Sequence, residues 1–412
     1  MKIHNKILAA VLAALLGAAV LLGCAGCAEN LDVSGGIGDQ AWLYGVCYAE
    51  SERSYDPDYD AEAEVQLMAN LGVKTVRTWM QIRDLLVSPT QINEAACAEA
   101  HALLALYARH GIRAVGVSHT NFNAGTSQSG KIARDPSAGS EYVAWLEDYY
   151  TAWKTLVAEF PEVDYWEIDN ETNNSVFMNN IYGEAIFNQD EMAAISTDLF
   201  YYASRGIHES NPDAQTVMGG LVGFQSGRIK TALERIYQNI QSGGYGYFYG
   251  REPAESASTE ADDYFQIVCW HPYITGAFNR TVFRTLNDEI YEVVLAYEGK
   301  HKKVIFSEIG FSNETYSETL AARYITEMFS VIEEEMPYVE SVLYFKLFDY
   351  ADPSYWTGSY SRYGLFYDPN PDRSYTNNET DDIVTPGAPK PQAFAFQQAA
   401  GAAGDLTILQ PA

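Results

Sequence analysis

Two glutamates stand just past short apolar runs, where a strand delivers side chains to its rim. Glu171 follows Val163-Asp-Tyr-Trp-Glu-Ile168 with only Asp169 and Asn170 between, and Glu308 directly follows Lys302-Lys-Val-Ile-Phe-Ser307. Asn-Glu occurs at positions 93, 170, 313 and 378, and only the pair at 170 follows a strand-like run directly. Cleavage of a glycosidic bond needs such a pair of carboxyls. One is protonated near neutral pH and donates to the leaving oxygen, and the other is ionised and faces the anomeric carbon. A single glutamate at such a place is as readily half of a buried ion pair, whereas two at the ends of different strands point to chemistry. Other polar residues share the placement: Arg77 in Val76-Arg-Thr-Trp79, His119 closing Gly116-Val-Ser-His119, Asn170, and His271 and Tyr273 in His271-Pro-Tyr273. Glu167 and Asp169 are rival carboxylates for the acid role, but they precede the strand-end asparagine and are set aside.

Such side chains must converge from different strands. Apolar runs of strand length occur at Leu43–Tyr48, Val73–Thr78, Arg113–Val117, Tyr165–Ile168, Thr216–Gly219, Phe265–Trp270, Lys303–Phe306 and Val342–Phe345. Helical patterns alternate with them at about 61–71, 93–110, 140–160, 191–210, 229–240, 285–299, 317–336 and 391–400, the order of repeated βα units. Asn70-Leu-Gly-Val-Lys74 and Arg109-His-Gly-Ile-Arg113 read as helix ends on a left-handed glycine with a strand starting at once. Eight strands with eight helices predict an α/β fold, a single (β/α)8 TIM barrel, over residues 41–412. An open doubly wound sheet is disfavoured because no glycine-rich nucleotide loop follows the first strand, and no cofactor is implied. In such a barrel the carboxyl ends of the strands form the active face, so rim residues are candidates and polar residues elsewhere are structural. Two long segments, Gln241–Asp263 and Asp349–Pro389, are expected on that face. They carry Tyr245, Tyr247, Tyr249, Tyr355, Tyr360, Tyr363 and Trp356, rings suited to stacking on sugars or to anchoring their own loops. No segment reads as a separate carbohydrate-binding module.

The chain opens with Met1-Lys-Ile-His-Asn-Lys6 and an apolar run from Ile7 to Gly23, short for a membrane span and laid out as an export signal. Leu21-Leu-Gly-Cys24 resembles the lipobox of bacterial lipoproteins. The resemblance implies a signal over 1–23, a lipid on Cys24, a flexible tether over 24–40 and an extracytoplasmic, membrane-anchored protein. Beyond the anchor, Cys47, Cys97 and Cys269 are too few for a disulfide framework, so the core must hold the fold. A net charge of −29 repels polyanions, which argues against nucleic acid as a partner. No oligomer is implied.

Trp166-Glu-Ile-Asp-Asn-Glu-Thr-Asn173 resembles the strand-4 acid/base motif of clan A glycoside hydrolases, notably families 5 and 39, and Ser307-Glu-Ile-Gly310 is similar to their strand-7 nucleophile motif. The resemblance implies a retaining enzyme with Glu171 as acid/base and Glu308 as nucleophile, acting on a β-linked glycan. It further implies that Arg77 bonds the nucleophile and keeps it ionised, that Asn170 meets the sugar 2-hydroxyl, that His119 matches the strand-3 histidine of family 5, and that His271 and Tyr273 form the strand-6 motif whose hydroxyl touches the nucleophile. Glu171 is expected to be pushed toward its protonated form by the nearby negative charge. Gly310 is expected to let the backbone turn tightly beneath the sugar.

The chain also departs from that pattern. Asp169 and Thr172 replace tryptophan and proline of many relatives, and Val342-Leu-Tyr-Phe-Lys-Leu-Phe348 lacks the usual tryptophan platform, for which Phe345, Phe348 and Trp356 are the substitutes. These differences imply an outlying family and leave the sugar open. A metal-dependent barrel hydrolase calls for His-x-His on the first strand, but that strand reads Tyr44-Gly-Val-Cys-Tyr48 and no metal is implied. The other reading is a cell-surface lipoprotein that binds glycan without catalysis. Against it stands the joint retention of both glutamates with Arg77 and Tyr273.

Overall fold

A computed structural model describes residues 40–48, 59–119, 130–179, 187–245, 258–350, 362–370, 372, 377 and 383–410. The export signal, Cys24, the tether and Trp356 lie outside the described residues. Eight parallel strands follow the predicted order: β1 (Tyr44–Tyr48), β2 (Thr75–Trp79), β3 (Arg113–Ser118), β4 (Tyr165–Ile168), β5 (Gln215–Met218), β6 (Val268–Cys269), β7 (Val304–Ile309) and β8 (Val339–Tyr344). They pair side by side from β1 through β5, and β1 also pairs with β8, which leads through β7 to β6. Bridges Val217↔Ile267 and Leu221↔Trp270 join β5 to β6 and close the sheet into a barrel. Eight helices surround it: α1 (Ala61–Leu71), α2 (Glu94–Arg109), α3 (Glu141–Glu159), α4 (Gln189–Ser210), α5 (Arg228–Ser242), α6 (Arg280–Glu298), α7 (Glu318–Glu335) and α8 (Pro391–Ala399). The chain is an α/β, single-domain (β/α)8 barrel.

Local chemistry accounts for the boundaries. Asp60, Asn93, Ser140 and Ser317 cap α1, α2, α3 and α7 by accepting a backbone N–H in the first turn. Gly72 and Gly111 follow α1 and α2 with φ of 92° and 68°, the left-handed turn that sends each chain straight into the next strand. Helix α6 starts at Arg280, ahead of the predicted 285, because the Asn279 side chain accepts from Val282 N–H and sets the start there. Between β2 and α2 lie a helical turn, Ile82–Leu85, and a two-stranded hairpin, Leu86–Ser88 with Gln91–Ile92, both too short to print a period in the sequence.

Strand alternation sorts side chains between the helix layer and the lumen. Trp153, Trp166 and Trp270 are fully buried under the helices, with the Trp153 and Trp166 rings edge to face at 5.8 Å. Inside, Cys47, Val115, Val217, Ile267, Cys269, Ile305 and Leu343 fill the middle of the barrel. At its amino-terminal end Arg113 lies between the Trp42 and Tyr165 rings and bonds Glu340 and Ser341, a polar plug. At the other end Arg77 and Glu167 point inward and are buried.

One loop is connected otherwise than expected: Gln241–Asp263 runs from the end of α5 to the stretch before β6 rather than from the end of β5. Of its described residues, Asp262 pairs with Lys300 and Lys302 just ahead of β7, and the Tyr245 ring packs under Arg134 from the segment between β3 and α3. Residues 246–257, with Tyr247 and Tyr249, lie outside the described residues. The segment Asp349–Pro389 does follow a strand, β8. No helix among the described residues is long and apolar enough to cross a membrane.

Candidate active site

At the end of β4 the chain makes a turn in which Asp169 (φ 70°) and Glu171 (φ 47°) adopt left-handed backbone without being glycine. Each such residue costs on the order of 1–3 kcal/mol and persists when its surroundings over-determine it. Here Asp169 N–H donates to Ser118 O at 2.9 Å and Asn170 N–H to Asp169 Oδ1 at 2.7 Å. Asn174 closes the turn, donating its N–H to Glu171 O at 2.7 Å and its amide to Glu171 Oε2 at 2.6 Å. The result aims the Glu171 carboxyl into the barrel mouth.

Glu308, near the end of β7, faces it across the mouth. Arg77 Nη1 donates to Glu308 Oε1 at 2.7 Å and Tyr273 OH to Glu308 Oε2 at 3.1 Å. Burial and the Glu308 charge raise the Tyr273 phenol far above its ordinary range, so it stays a donor. The same guanidinium gives Nε to Glu167 Oε2 at 2.7 Å and Nη2 to Glu167 Oε1 at 3.0 Å and to Asn170 Oδ1 at 2.7 Å. Arg77 therefore orients the nucleophile candidate, the asparagine beside the acid candidate, and Glu167 beneath both. Glu167 also accepts from Ser307 Oγ and Gly220 N, which leaves it fully buried and saturated with donors. Asp169 is occupied by Lys131 and by its own turn. Neither rival carboxylate is positioned as an acid.

His271 is fully buried and links the two glutamates. Its Nδ1 lies 3.2 Å from Glu171 Oε1 and 3.7 Å from Glu308 Oε2, and its Nε2 lies 2.9 Å from Ser307 Oγ. Ser307 has one proton to give, and it donates to Glu167, which as a carboxylate paired with Arg77 only accepts. The Cys269 thiol, held protonated by burial, donates to the same oxygen at 2.9 Å. Ser307 must then accept from His271 Nε2–H, which fixes the imidazole tautomer. The Nδ1···Glu171 contact consequently carries one proton, on the imidazole or on the carboxyl. Burial works against a charged His271, but the Glu308 charge and the Glu171 bond outweigh it and raise its pKa. Burial likewise raises Glu171, but the His271 and Asn174 bonds prevail and hold it below the usual carboxyl range. Both directions favour the imidazole over the carboxyl as holder of that proton, against the expectation that nearby negative charge pushes Glu171 toward its protonated form. The room for that ring comes from Gly220, where an added Cβ would lie 2.1 Å from His271 Nε2.

His119 is half-buried at the end of β3, edge-on to Trp79 at 5.1 Å and to Phe177 at 5.6 Å, with its N–H donating to Gln81 Oε1. Burial and the Lys131 charge push it down to about 3, so it stays neutral, and its Nδ1 has no hydrogen-bond partner among the described residues. Of the platform candidates, Phe348 is buried against Phe366 at 6.0 Å. Phe345 stays partly exposed over the lumen cluster, with its ring 5.6 Å from Tyr363, itself 5.9 Å from Tyr273. Gly310 abuts β8: an added Cβ would lie 2.1 Å from Phe345 O, so its smallness serves that close approach. Ser307, Asn174 and Lys131 are members of the site that strand-end reasoning passed over, and Glu167, weighed only as a rival acid, is the partner of Arg77. The signal for Glu167 was strand parity, since an arginine facing a closed lumen needs a carboxylate there.

One ligand atom each from Glu171, His271 and Glu308 lies within 4.8 Å of the others, and Glu167, Cys269 and His271 form a second such group. Each group includes a carboxylate already paired with Arg77, and a dication there would face that fixed positive charge. The arrangement suits proton transfer and nucleophilic attack.

Neither a family model nor a curated protein matches the sequence. Among solved structures, the chain is similar to a family 39 glycoside hydrolase from the gut symbiont Bacteroides cellulosilyticus WH2, with a TM-score of 0.56 and 16% identity over 89% of this chain and 65% of that one. It thus spans about two thirds of that hydrolase. A family 1 β-glucosidase from Thermotoga maritima gives 0.55 and 13% over 89% and 99% of the two chains. A GH5_18 variant from Bifidobacterium longum, in complex with Manβ1-4GlcNAc, gives 0.55 and 14% over 87% and 78%. At these identities the likeness is one of fold, and the chain shares the barrel on which these glycoside hydrolases are built.

Proposed function

We propose that this protein is a retaining glycoside hydrolase in which Glu308 is the nucleophile and Glu171 the acid/base. The observation that carries the reading is the approach of the two carboxylates, one oxygen of each within 4.8 Å of the other. Retaining enzymes hold their carboxyls about 5–5.5 Å apart because the nucleophile attacks the anomeric carbon itself, whereas inverting enzymes leave about 6.5–9.5 Å for a water. Glu308, bonded by Arg77 and Tyr273, attacks while Glu171 protonates the leaving oxygen, giving a glycosyl ester on Glu308. Water, deprotonated by Glu171, then releases the sugar with its configuration retained. The 3.2 Å contact lets His271 and Glu171 share the proton that Glu171 delivers to the leaving oxygen.

A β-linked glycan is the substrate class of choice, in keeping with the β-glucosidase and the Manβ1-4GlcNAc complex among the structural neighbours. Cys24 is proposed to carry a lipid that holds the barrel outside the membrane on a tether of residues 24–40. A non-catalytic glycan receptor has no use for an arginine held on a carboxylate at attack distance from a second one. The test is a screen of aryl β-glycosides and β-glycans, followed by NMR of the first-formed anomer. Retained configuration with loss of activity in Glu308→Ala supports the reading. Inverted product, or no hydrolysis of any glycoside, refutes it.

A further inference from the structure

The turn carrying Glu171 is tied at its first residue by an ion pair between two loops. Lys131 Nζ lies 2.5 Å from Asp169 Oδ2, with both side chains 1% exposed. The other oxygen of Asp169 accepts Asn170 N–H, so one carboxylate both meets the ammonium and shapes the turn. Lys131 comes from the segment between β3 and α3, and its own N–H donates to Asn179 O at 3.0 Å, further along the loop that Asp169 opens. It clasps that loop at two points, on either side of Glu171.

Packing does not explain this arrangement. Taking a carboxylate and an ammonium out of water is costly, and well-packed apolar residues of similar volume often serve stability as well or better. What the pair does have is position. Asp169 at φ 70° and Glu171 at φ 47° need outside restraint to stay left-handed, and Lys131 supplies it from a neighbouring loop. Burial raises the Asp169 carboxyl, with the Lys131 charge the main influence against it, so the ammonium also favours the ionised acceptor that the turn requires.

We propose that Lys131, acting through Asp169, is a positioning residue for Glu171. The pair holds the end of β4 in the conformation that sets the Glu171 carboxyl against His271 and toward the leaving oxygen. The inference rests on Glu171 being the acid/base, and its signature is selective. Loosening the turn weakens proton donation, which matters for a poor leaving group and little for a good one. Substrate binding and attack by Glu308 are otherwise untouched.

The experiment compares the full-length wild type with Lys131→Met, which keeps the length and removes the charge, on paired methyl and 2,4-dinitrophenyl β-D-glucosides and β-D-mannosides. General acid catalysis contributes about 10²–10⁴-fold, so kcat/KM should fall about 10²-fold on the methyl glycoside and no more than about threefold on the dinitrophenyl one. Equal losses on both, or none on either, overturn the proposal, the first outcome marking a merely structural pair. Should Lys131→Met fail to fold, Asp169→Asn keeps the shape and the Oδ1 acceptor and carries the same comparison. A wild type inactive on all four glycosides bears on the catalytic reading or its sugar and not on this pair. The crystal structure of the variant then decides, since it needs no substrate. An Asp169–Glu171 turn relaxed to negative φ supports the proposal, and an unchanged turn with the Glu171–His271 contact intact overturns it.

Discussion

Arg77→Met removes the one cation shared by both buried carboxylates. The guanidinium makes two bonds to Glu167, one to Glu308 and one to Asn170. Without it Glu167 keeps the Ser307 and Gly220 donors, whereas Glu308 keeps Tyr273 as a direct donor, with His271 Nδ1 at 3.7 Å. Breaking a buried pair by removing one partner costs about 3–5 kcal/mol. Without the guanidinium the ionised form of Glu308 loses its strongest partner. A nucleophile that must be ionised then loses activity from the acid side. The acidic limb of kcat/KM should move to higher pH, and kcat/KM on its plateau should fall by about 10²–10³-fold, the pair's cost taken at about 1.36 kcal/mol per tenfold.

The assay is kcat/KM against pH on an aryl β-glycoside, run beside guanidinium unfolding of the same preparations. Arg77→Lys separates charge from geometry. An ammonium keeps the charge but cannot fork to Glu167 while reaching Glu308, so this variant should keep an acidic limb near that of the wild type and lose an intermediate amount of activity. A folded Arg77→Met protein with the wild-type acidic limb would refute the reasoning, because it would mean that Glu308 does not depend on Arg77 for its charge.

Three further outcomes are expected. In the wild type the catalytic proton stays on the His271–Glu171 pair until the pH passes the raised His271 value, whereas in His271→Gln only a carboxyl remains to hold it, so the alkaline limb of kcat/KM should move to lower pH; an unmoved limb would remove His271 from the proton path. Glu308→Ala should be inactive on every substrate and Glu171→Ala should retain activity on dinitrophenyl glycosides and gain from azide, with a β-glycosyl azide as product; a 2-fluoro glycoside of the preferred sugar should label Glu308 and no other residue, as peptide mass spectrometry would show. Cys24→Ser should release the protein from the membrane fraction or leave it unprocessed, and unchanged partitioning with unchanged mass would exclude the anchor.

The barrel was legible because each βα unit prints its own signal. An apolar run of four to six residues, a helix-length periodic stretch and a capping residue recur, as in Ser140 before α3 or Gly72 between α1 and β2. What escaped was short or dependent on topology. The hairpin at Leu86–Ser88 and Gln91–Ile92 has too few residues for a period. Gln241–Asp263 follows α5 rather than β5, which its glycines and tyrosines do not reveal.

The site was legible for a different reason, and unevenly. Glu171, Glu308 and Tyr273 lie at or just past strand ends and Arg77 within β2, so one-dimensional position pointed to their convergence. Which group holds the proton was not written there, because it depends on a serine that can donate once. Ser307 reads as an ordinary strand residue, yet by giving its proton to Glu167 it fixes Nε2–H on His271 and places the remaining proton between Nδ1 and Glu171. The residues where the chain departs from the clan pattern obey the same logic. Asp169, in place of tryptophan, takes a left-handed conformation beside Asn170 and meets a buried lysine from another loop. A departure from local preference at a strand end, matched by a costly buried partner, is therefore better evidence of what the turn must hold still than the apolar pattern that led to it.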